Sequence, residues 1–507
     1  MTRLLRRATL VVTAAGMAVC TAPLAGQNPA YEELQNFSSV LNHVRLNYVD
    51  SVSYRELVRA AIDGVLRSLD PHSYFAERGA WDKRAAFEAG EAAWCGITLE
   101  RVGEEIVVLS VDPGGPADRS GVRPGDRLLT VADTSVAGLS AVEAEAELIG
   151  DEGTKVTLAF ERGPRFEPDT LRVSLERKRP NARSVRNVRL LDQRTGYLRL
   201  TRFRADAGEE LRDAIERLRD NGADRLILDL RGNPGGALNA ALDVAGLFLP
   251  KRAVVFRMFG RKADTNAEAS LDRAGPFQRM ALVVLVDASS ASASEAVAGA
   301  LQDHRRAVIV GRRTFGKALA QAPFFLPGGD VVWLTIGRIW TPSGRSLQRE
   351  YRNRTIEAYR EDAGSPDRGR AADEDGAPGE EERGGVAPDL PVERPGAPPA
   401  WWSAALEQDL QLAVADSVAQ TLPESPESRA EWLTNPDRWG TALLEPFMES
   451  ARAALGPLPD PESDASSTMA TLLAARVAEV RWGEDAGLEL RLSTDVDVLA
   501  GLEVLSR

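Results

Sequence analysis

Histidine, lysine and cysteine are the scarce residues of this 507-residue chain, and each scarcity excludes something. The two cysteines are Cys20 and Cys95, and removal of a leader ending near Ala25 leaves only the second, so no internal disulfide is expected. No H-E-x-x-H pattern or Cys/His cluster is present, and neither a metal nor another cofactor is expected. The three histidines are poorly placed for a Ser–His triad. His43 and His72 fall in an N-terminal helical block where surface or capping roles suit them, and His304 ends a helix, where a C-terminal dipole partner is wanted. A basic surface is also missing: the net charge is −13, which argues against nucleic acid as a partner. The apolar run LVVTAAGMAV is too short for an ordinary membrane span. It follows Arg3, Arg6 and Arg7 and precedes TAPLAGQ, the order of a secretory signal peptide. Residues 1–26 are therefore expected to direct export to the periplasm or cell envelope. Membrane association is expected only if Cys20 is lipidated, and its MAVC context is a poor lipobox.

What is present is ample apolar content, 43% of residues, arranged in blocks. Residues 27–90 read as an N-terminal helical domain, with Leu34, Phe37, Val40, Leu41 and Val44 on one face. Residues 91–180 carry short strands, ITLERV, IVVLSV, RLLTV and KVTLAFE, separated by the turn signals DPGGP and RPGD. From 181 to 350 strands alternate with helices, the signature of an α/β core. Residues 351–384 are charged and nearly devoid of apolar side chains, so a disordered acidic insert is expected there. The core resumes over 385–400, and 401–507 is helical.

The stretch SASASEAVAGALQD, from Ser290 to Asp303, lies between the strand ALVVLVD and a helix. A serine on such a turn meets the free N–H groups and the dipole of the helix N-terminus, which favour developing negative charge. The plainer role is a capping box made by Ser292 and Glu295, and Ser290 and Ser294 compete for either role. Six lysines stand against 56 arginines, a bias that genome composition can produce. Lys317 nevertheless persists in the turn GRRTFGKALAQ. A desolvated lysine can give up its proton and act as a base, whereas arginine cannot. Gln321, four residues on, is placed to hold the amine. DLRGNPGGAL, from Asp229 to Leu238, runs from a strand end through glycines into a helix, either as an ordinary turn or as a set of backbone donors to an oxyanion.

Taken together, these motifs resemble the C-terminal processing peptidases, or tail-specific proteases. The marks are SLDPHS at 68–73, GGPADRSGVRPGD at 114–126, DLRGNPGG at 229–236, SASASEAVAGALQD at 290–303, GRRTFGK at 311–317, TPSGRSLQ at 341–348 and GGVAPDL at 384–390. The resemblance implies an α+β multidomain protein. A PDZ-like β domain would sit within an α/β peptidase core of the ClpP/crotonase-like type, flanked by N- and C-terminal helical segments. It implies a serine endopeptidase acting on exported proteins through their C-terminal tails. Ser292 would be the nucleophile, Lys317 the general base and Gln321 the residue that orients the lysine. Ala293, Gly235 and Gly236 would supply the oxyanion hole, and Gly96, Ile97, Thr98 and Leu99 would bind the peptide carboxylate. Ala318 stands where a glycine is usual, and Thr98 where the carboxylate loop commonly has glycine. The competing reading is a peptide-binding scaffold on a silent peptidase fold, and retention of Ser292, Lys317 and Gln321 together weighs against it. The resemblance also favours assembly with a second copy through terminal helices, and the stripe Trp401, Trp402, Leu406 and Leu410 would suit an interface if exposed.

Overall fold

The computed structural model describes residues 29–102, 105–162, 169–180, 183–349, 384–393, 396, 398–399 and 401–507. The leader with Cys20 lies outside the described residues, as does the acidic insert apart from Gly384. The chain divides into two compact units, the first ending at Leu69 and the second opening at Asp70. The first contains helices α1 (Pro29–Asn47) and α2 (Tyr54–Arg67), the latter started by a Ser53/Glu56 capping box. Tyr31, Leu34, Phe37 and Val40 of α1 are exposed.

Residues 70–90, expected to continue the helical block, belong instead to the second unit. The reason is the SLDPHS turn. The Asp70 carboxylate accepts the N–H groups of His72 and Ser73 at 2.8 and 2.6 Å, which stops the helix and turns the chain into β1 (Tyr74–Ala76). Helix α3 (Arg78–Glu88) follows.

Next comes an antiparallel β domain made of β2 (Ile97–Val102), β3 (Glu105–Val111), helix α4 (Pro116–Arg119), β4 (Arg127–Val131), β5 (Thr134–Ser135), helix α5 (Ala141–Leu148), β6 (Lys155–Arg162) and β7 (Asp169–Glu176). The sheet order is β2-β3-β4-β6-β7, with β5 beside β4. Strand β7 shows why the sequence folds this way: Leu171, Val173 and Leu175 alternate inward while the polar residues between them face solvent.

The α/β core contains β8 (Val185–Leu190), β9 (Thr195–Leu200), α6 (Ala207–Asp220), β10 (Arg225–Asp229), α7 (Leu238–Gly246), β11 (Val254–Gly260), β12 (Ala267–Ser270), β13 (Ala281–Val286), α8 (Ala293–Asp303), β14 (Val308–Gly311), β15 (Leu319–Phe325), β16 (Val331–Trp340) and β17 (Leu390–Pro391). One sheet runs β17-β14-β13-β10-β9-β8, parallel except for the β8–β9 pair. Its central strands read RLILD and ALVVLV, apolar on both faces, as a sheet covered on both sides requires. Leu226, Leu228, Val284 and Val286 pack under α6, α7 and α8. Ile227, Val283 and Leu285 pack on the other face against Leu492 and Val498 of the C-terminal helices. The second sheet runs β1-β16-β11-β12, with β15 added to β16.

The C-terminal segment contains α9 (Trp401–Glu407), α10 (Leu410–Thr421), α11 (Pro426–Thr434), α12 (Asp437–Trp439), a π turn at Gly440–Leu444, α13 (Glu445–Leu455), α14 (Ser463–Trp482), α15 (Glu484–Thr494) and α16 (Val496–Ser506). Its tryptophan stripe does not face outward for a partner. Trp402 is buried, its ring centre 4.8 Å from that of Phe447, in a helical core that also holds Trp432 and Trp439. No helix among the described residues is long and apolar enough to cross a membrane.

Candidate active site

Strand β13 ends at Val286, and four serines follow it, of which Ser290, Ser292 and Ser294 meet different surroundings. Ser290 is fully buried and its hydroxyl donates to the Leu230 carbonyl at 2.8 Å. Ser294 is fully buried and donates to the Asn233 carbonyl at 2.9 Å. Both hydroxyls thus tie this turn to the glycine loop after β10. Ser292 lies between them, partly exposed, with a φ of 56°, a conformation that non-glycine residues rarely adopt.

Glu295 does more than cap the helix. Its carboxylate accepts the Ser292 N–H at 2.8 Å and the Lys317 N–H at 2.9 Å, and also the Gly316 N–H and the Thr314 hydroxyl at 2.7 and 2.6 Å. One buried side chain therefore fixes the Ser292 turn to the Lys317 turn. Burial raises its carboxyl above the ordinary range, although these hydrogen bonds pull the other way. Capping-box spacing revealed this residue, but not its second set of partners. The two motifs that flank the acidic insert meet on the same turn: Gln348 Oε1 accepts the Ala318 N–H at 2.9 Å, and the Val386 carbonyl accepts the Thr314 N–H at 3.1 Å.

The glycine loop faces Ser292. A Cβ on Gly235 would lie 2.8 Å from the Ser292 Cβ and 2.9 Å from the Ala293 nitrogen, so only glycine permits this approach. Gly235 also has a φ of 99°. Its N–H, expected as an oxyanion donor, is committed to Asn233 Oδ1 at 2.9 Å. That corrects its role to close approach. Among the described residues no acceptor is bonded to the N–H of Ala293 or of Gly236.

Lys317 was expected to be desolvated, with Gln321 beside it. The structure instead places its Nζ 2.6 Å from Glu100 Oε2, on strand β2 of the β domain. Gln321 Nε2 donates to the His72 carbonyl at 2.7 Å, and the Gln321 side chain does not hold the amine. His72, expected at the surface or as a cap, is buried with its Nδ1 3.2 Å from Glu100 Oε1. Burial alone would raise the Glu100 carboxyl. Lys317 and His72 outweigh it and hold that carboxyl well below the ordinary range. Nothing in the spacing of ITLERV separates Glu100 from a residue on an exposed strand face, which is why the sequence did not reveal it. Leu109 of β3 completes the contact by packing with Ala291 and Phe315.

The residues expected to bind a peptide carboxylate lie at the start of β2. Gly96 takes a φ of 81°, and the Thr98 hydroxyl accepts from Arg202 Nη2 at 3.1 Å. The Leu99 N–H is already occupied: it donates to Glu145 Oε1 of α5 at 2.7 Å. Glu145 Oε2 lies 3.9 Å from Arg84 Nη1. Burial raises the Glu145 carboxyl above its ordinary range against the pull of Arg84 and the Leu99 N–H. Cys95, the one cysteine among the described residues, is buried with its thiol pushed up to about 12 by desolvation, which leaves it inert.

With this arrangement in view, comparison with known proteins identifies the class. The PDZ domain profile matches residues 107–162, and that of peptidase family S41 matches residues 194–358. A carboxyl-terminal-processing protease from Synechocystis sp. is 35% identical over 304 residues, 58% of this chain and 69% of the relative. A carboxy-terminal-processing protease from Bartonella bacilliformis is 34% identical over 327 residues, 63% of this chain and 73% of the relative. The solved structure of a photosystem II D1 C-terminal processing protease superposes with a TM-score of 0.53 at 26% identity, covering 71% of this chain and 93% of that one. The chain belongs to the carboxyl-terminal-processing protease family, with a PDZ domain set in an S41 serine-type peptidase core.

Proposed function

We propose that the protein is an endopeptidase that recognises the C-terminal tails of exported proteins and cleaves them through a Ser292/Lys317 dyad. The observation that carries this reading is that Glu295 joins two turns. One presents Ser292, partly exposed between Ser290 and Ser294, whose hydroxyls donate to scaffold carbonyls, and the other presents Lys317. Once released from Glu100, the neutral Lys317 amine takes the Ser292 hydroxyl proton as Oγ attacks the scissile carbonyl. The oxyanion is received by the N–H groups of Ala293 and Gly236. Collapse breaks the peptide bond, and the leaving amine takes the proton back from the Lys317 ammonium. Water, deprotonated by the same amine, then hydrolyses the acyl ester and restores Ser292. Gln321 is assigned to position the lysine in that released state. The tail adds alongside β2 with its carboxylate at the Ile97–Leu99 N–H groups, displacing Glu145. The basic head and apolar run of residues 3–19 support an exported location, and the exposed apolar face of α1 supports pairing with a second copy.

The test is cleavage of an unfolded protein, followed by mass spectrometry. Ser292→Ala, Lys317→Ala and Lys317→Arg are each expected to lower the rate by roughly a thousandfold or more, since both groups act in one transition state. Full activity in any of them overturns the dyad.

A further inference from the structure

We propose that the C-terminal helix positions the glycine loop opposite Ser292, acting through an ion cluster centred on Arg231. The inference rests on the oxyanion role just assigned to that loop. Arg231 lies two residues past the end of β10 and opens the loop, and its side chain is almost wholly buried. One edge of its guanidinium forks onto Asp229, with Nε to Oδ1 at 3.0 Å and Nη2 to Oδ2 at 2.7 Å. The other edge is taken by residues from the far end of the chain. Nη1 reaches both oxygens of Asp495 at 2.8 Å and Asp497 Oδ2 at 2.7 Å. The Arg231 N–H donates to Asp229 Oδ1 at 2.9 Å and its carbonyl accepts from Arg199 at 2.8 Å, so main chain and side chain are both held.

The loop beyond Arg231 is short and tightly linked to the serine turn. The Gly232 N–H donates to Asp287 at 2.9 Å, and the Asn233 carbonyl accepts from Ala291 and Ser294. A shift at Arg231 is therefore passed to the Gly236 N–H, whose value as a donor depends on a fraction of an ångström. Helix α16 also docks through apolar contacts. Val498 already packs on the sheet, and a Cβ on Gly501 would meet Ile227 and Val283 at 3.2 Å. The carboxylates add fixation of Arg231, and Asp495 also caps α16 by accepting the N–H groups of Asp497 and Val498. Asparagine keeps that cap while removing the charge.

The test variant is the full chain with Asp495→Asn and Asp497→Asn together, assayed on labelled casein and by hydrogen exchange. The expected result is a fall in kcat of roughly tenfold to a hundredfold with KM within about twofold, the pattern of an interaction made only in the transition state. Exchange at the hydrogen-bonded amides of Gly232, Asn233 and Gly235 should rise at least about tenfold. Asp497 is nearly fully buried, so Asp495→Asn alone serves if the double variant does not fold, with a fall of at least about threefold expected. Unchanged kcat and unchanged loop exchange, whatever the melting temperature does, would overturn the proposal and leave the cluster as an anchor for the helix. The exchange arm needs no catalytic serine. If Ser292→Ala stayed active, the dyad would fall while control of the loop by the C-terminal helix would still be decided by exchange.

Discussion

The Lys317 ammonium and the Glu100 carboxylate are 2.6 Å apart, one on the peptidase core and the other on strand β2 of the PDZ domain. Residue 99 of the same strand holds Glu145 through its N–H. Adjacent residues of one strand thus engage both Glu145 and the lysine. An ammonium paired in this way cannot accept a proton, so under the proposed dyad this geometry would be that of a resting enzyme.

Removing the Glu100 charge should release the amine. Glu100→Gln breaks the ion pair that holds the amine on β2 and leaves it free to turn toward Ser292. Basal cleavage should rise roughly tenfold, a barrier change of about 1.4 kcal/mol, while stability falls. Initial rates on an unfolded protein check it. A rate equal to or below that of the wild type would mean that Glu100 does not restrain the base.

The same pair sets a pH dependence. The Glu100 carboxyl is depressed in the folded state, so its contribution is complete above the unfolded value of about 4.3 and is lost as pH falls below it. Glu145 and Glu295 are shifted upward and oppose that trend, but they are common to both proteins in a comparison. The stability difference between wild type and Glu100→Gln should therefore shrink steadily from about pH 5 toward pH 3. Thermal melts across that range measure it, and a difference independent of pH would refute the assignment.

The Leu99 N–H and its own carboxylate give a third prediction. Glu145→Ala vacates the donor and releases Arg84, so a peptide ending in a free carboxylate should bind several-fold more tightly, by about 1 kcal/mol. The amidated peptide should not gain. Fluorescence anisotropy of labelled peptides tests both. Equal gains for the two peptides would show that Glu145 blocks the groove sterically and does not stand in for a tail carboxylate.

These relations mark how far the sequence could be read. The strands, the serine turn and the lysine turn were legible because periodicity and glycine placement are local signals, as in ALVVLV or GRRTFGK. The motifs that flank the acidic insert meet on residues 314–318, a contact that no local pattern in either motif states. The partners of Lys317 were not legible. Glu100 lies 217 residues away and is brought to the amine only by the docking of two domains. His72 was misplaced for the same reason: the Asp70 turn redirects the chain after the helical block, and no pattern at His72 itself announces a buried partner. The Trp401–Trp402 stripe was read correctly as apolar, but periodicity does not say which surface will cover it. The chain covers it with its own α13.

The first unit presents the opposite case, and assembly is the prediction that follows. Leu34, Phe37, Leu41 and Val44 follow the three–four–three spacing of a helical seam on α1, and Leu34 and Phe37 are 64% and 45% exposed. Full burial of such side chains is worth about 1.5–3 kcal/mol each, enough for a few of them to stabilise a pairing of two helices. A second copy supplies the same seam and closes the contact by twofold symmetry. The mature protein should therefore run as a dimer or larger assembly in light scattering at micromolar concentration. Leu34→Glu together with Phe37→Glu should shift it toward monomer, because each charge would be buried unpaired in the seam. Both positions are exposed, so the fold of the single chain should melt unchanged at high dilution. A wild-type protein that is monomeric at micromolar concentration would refute the assembly and leave the peptidase site untouched.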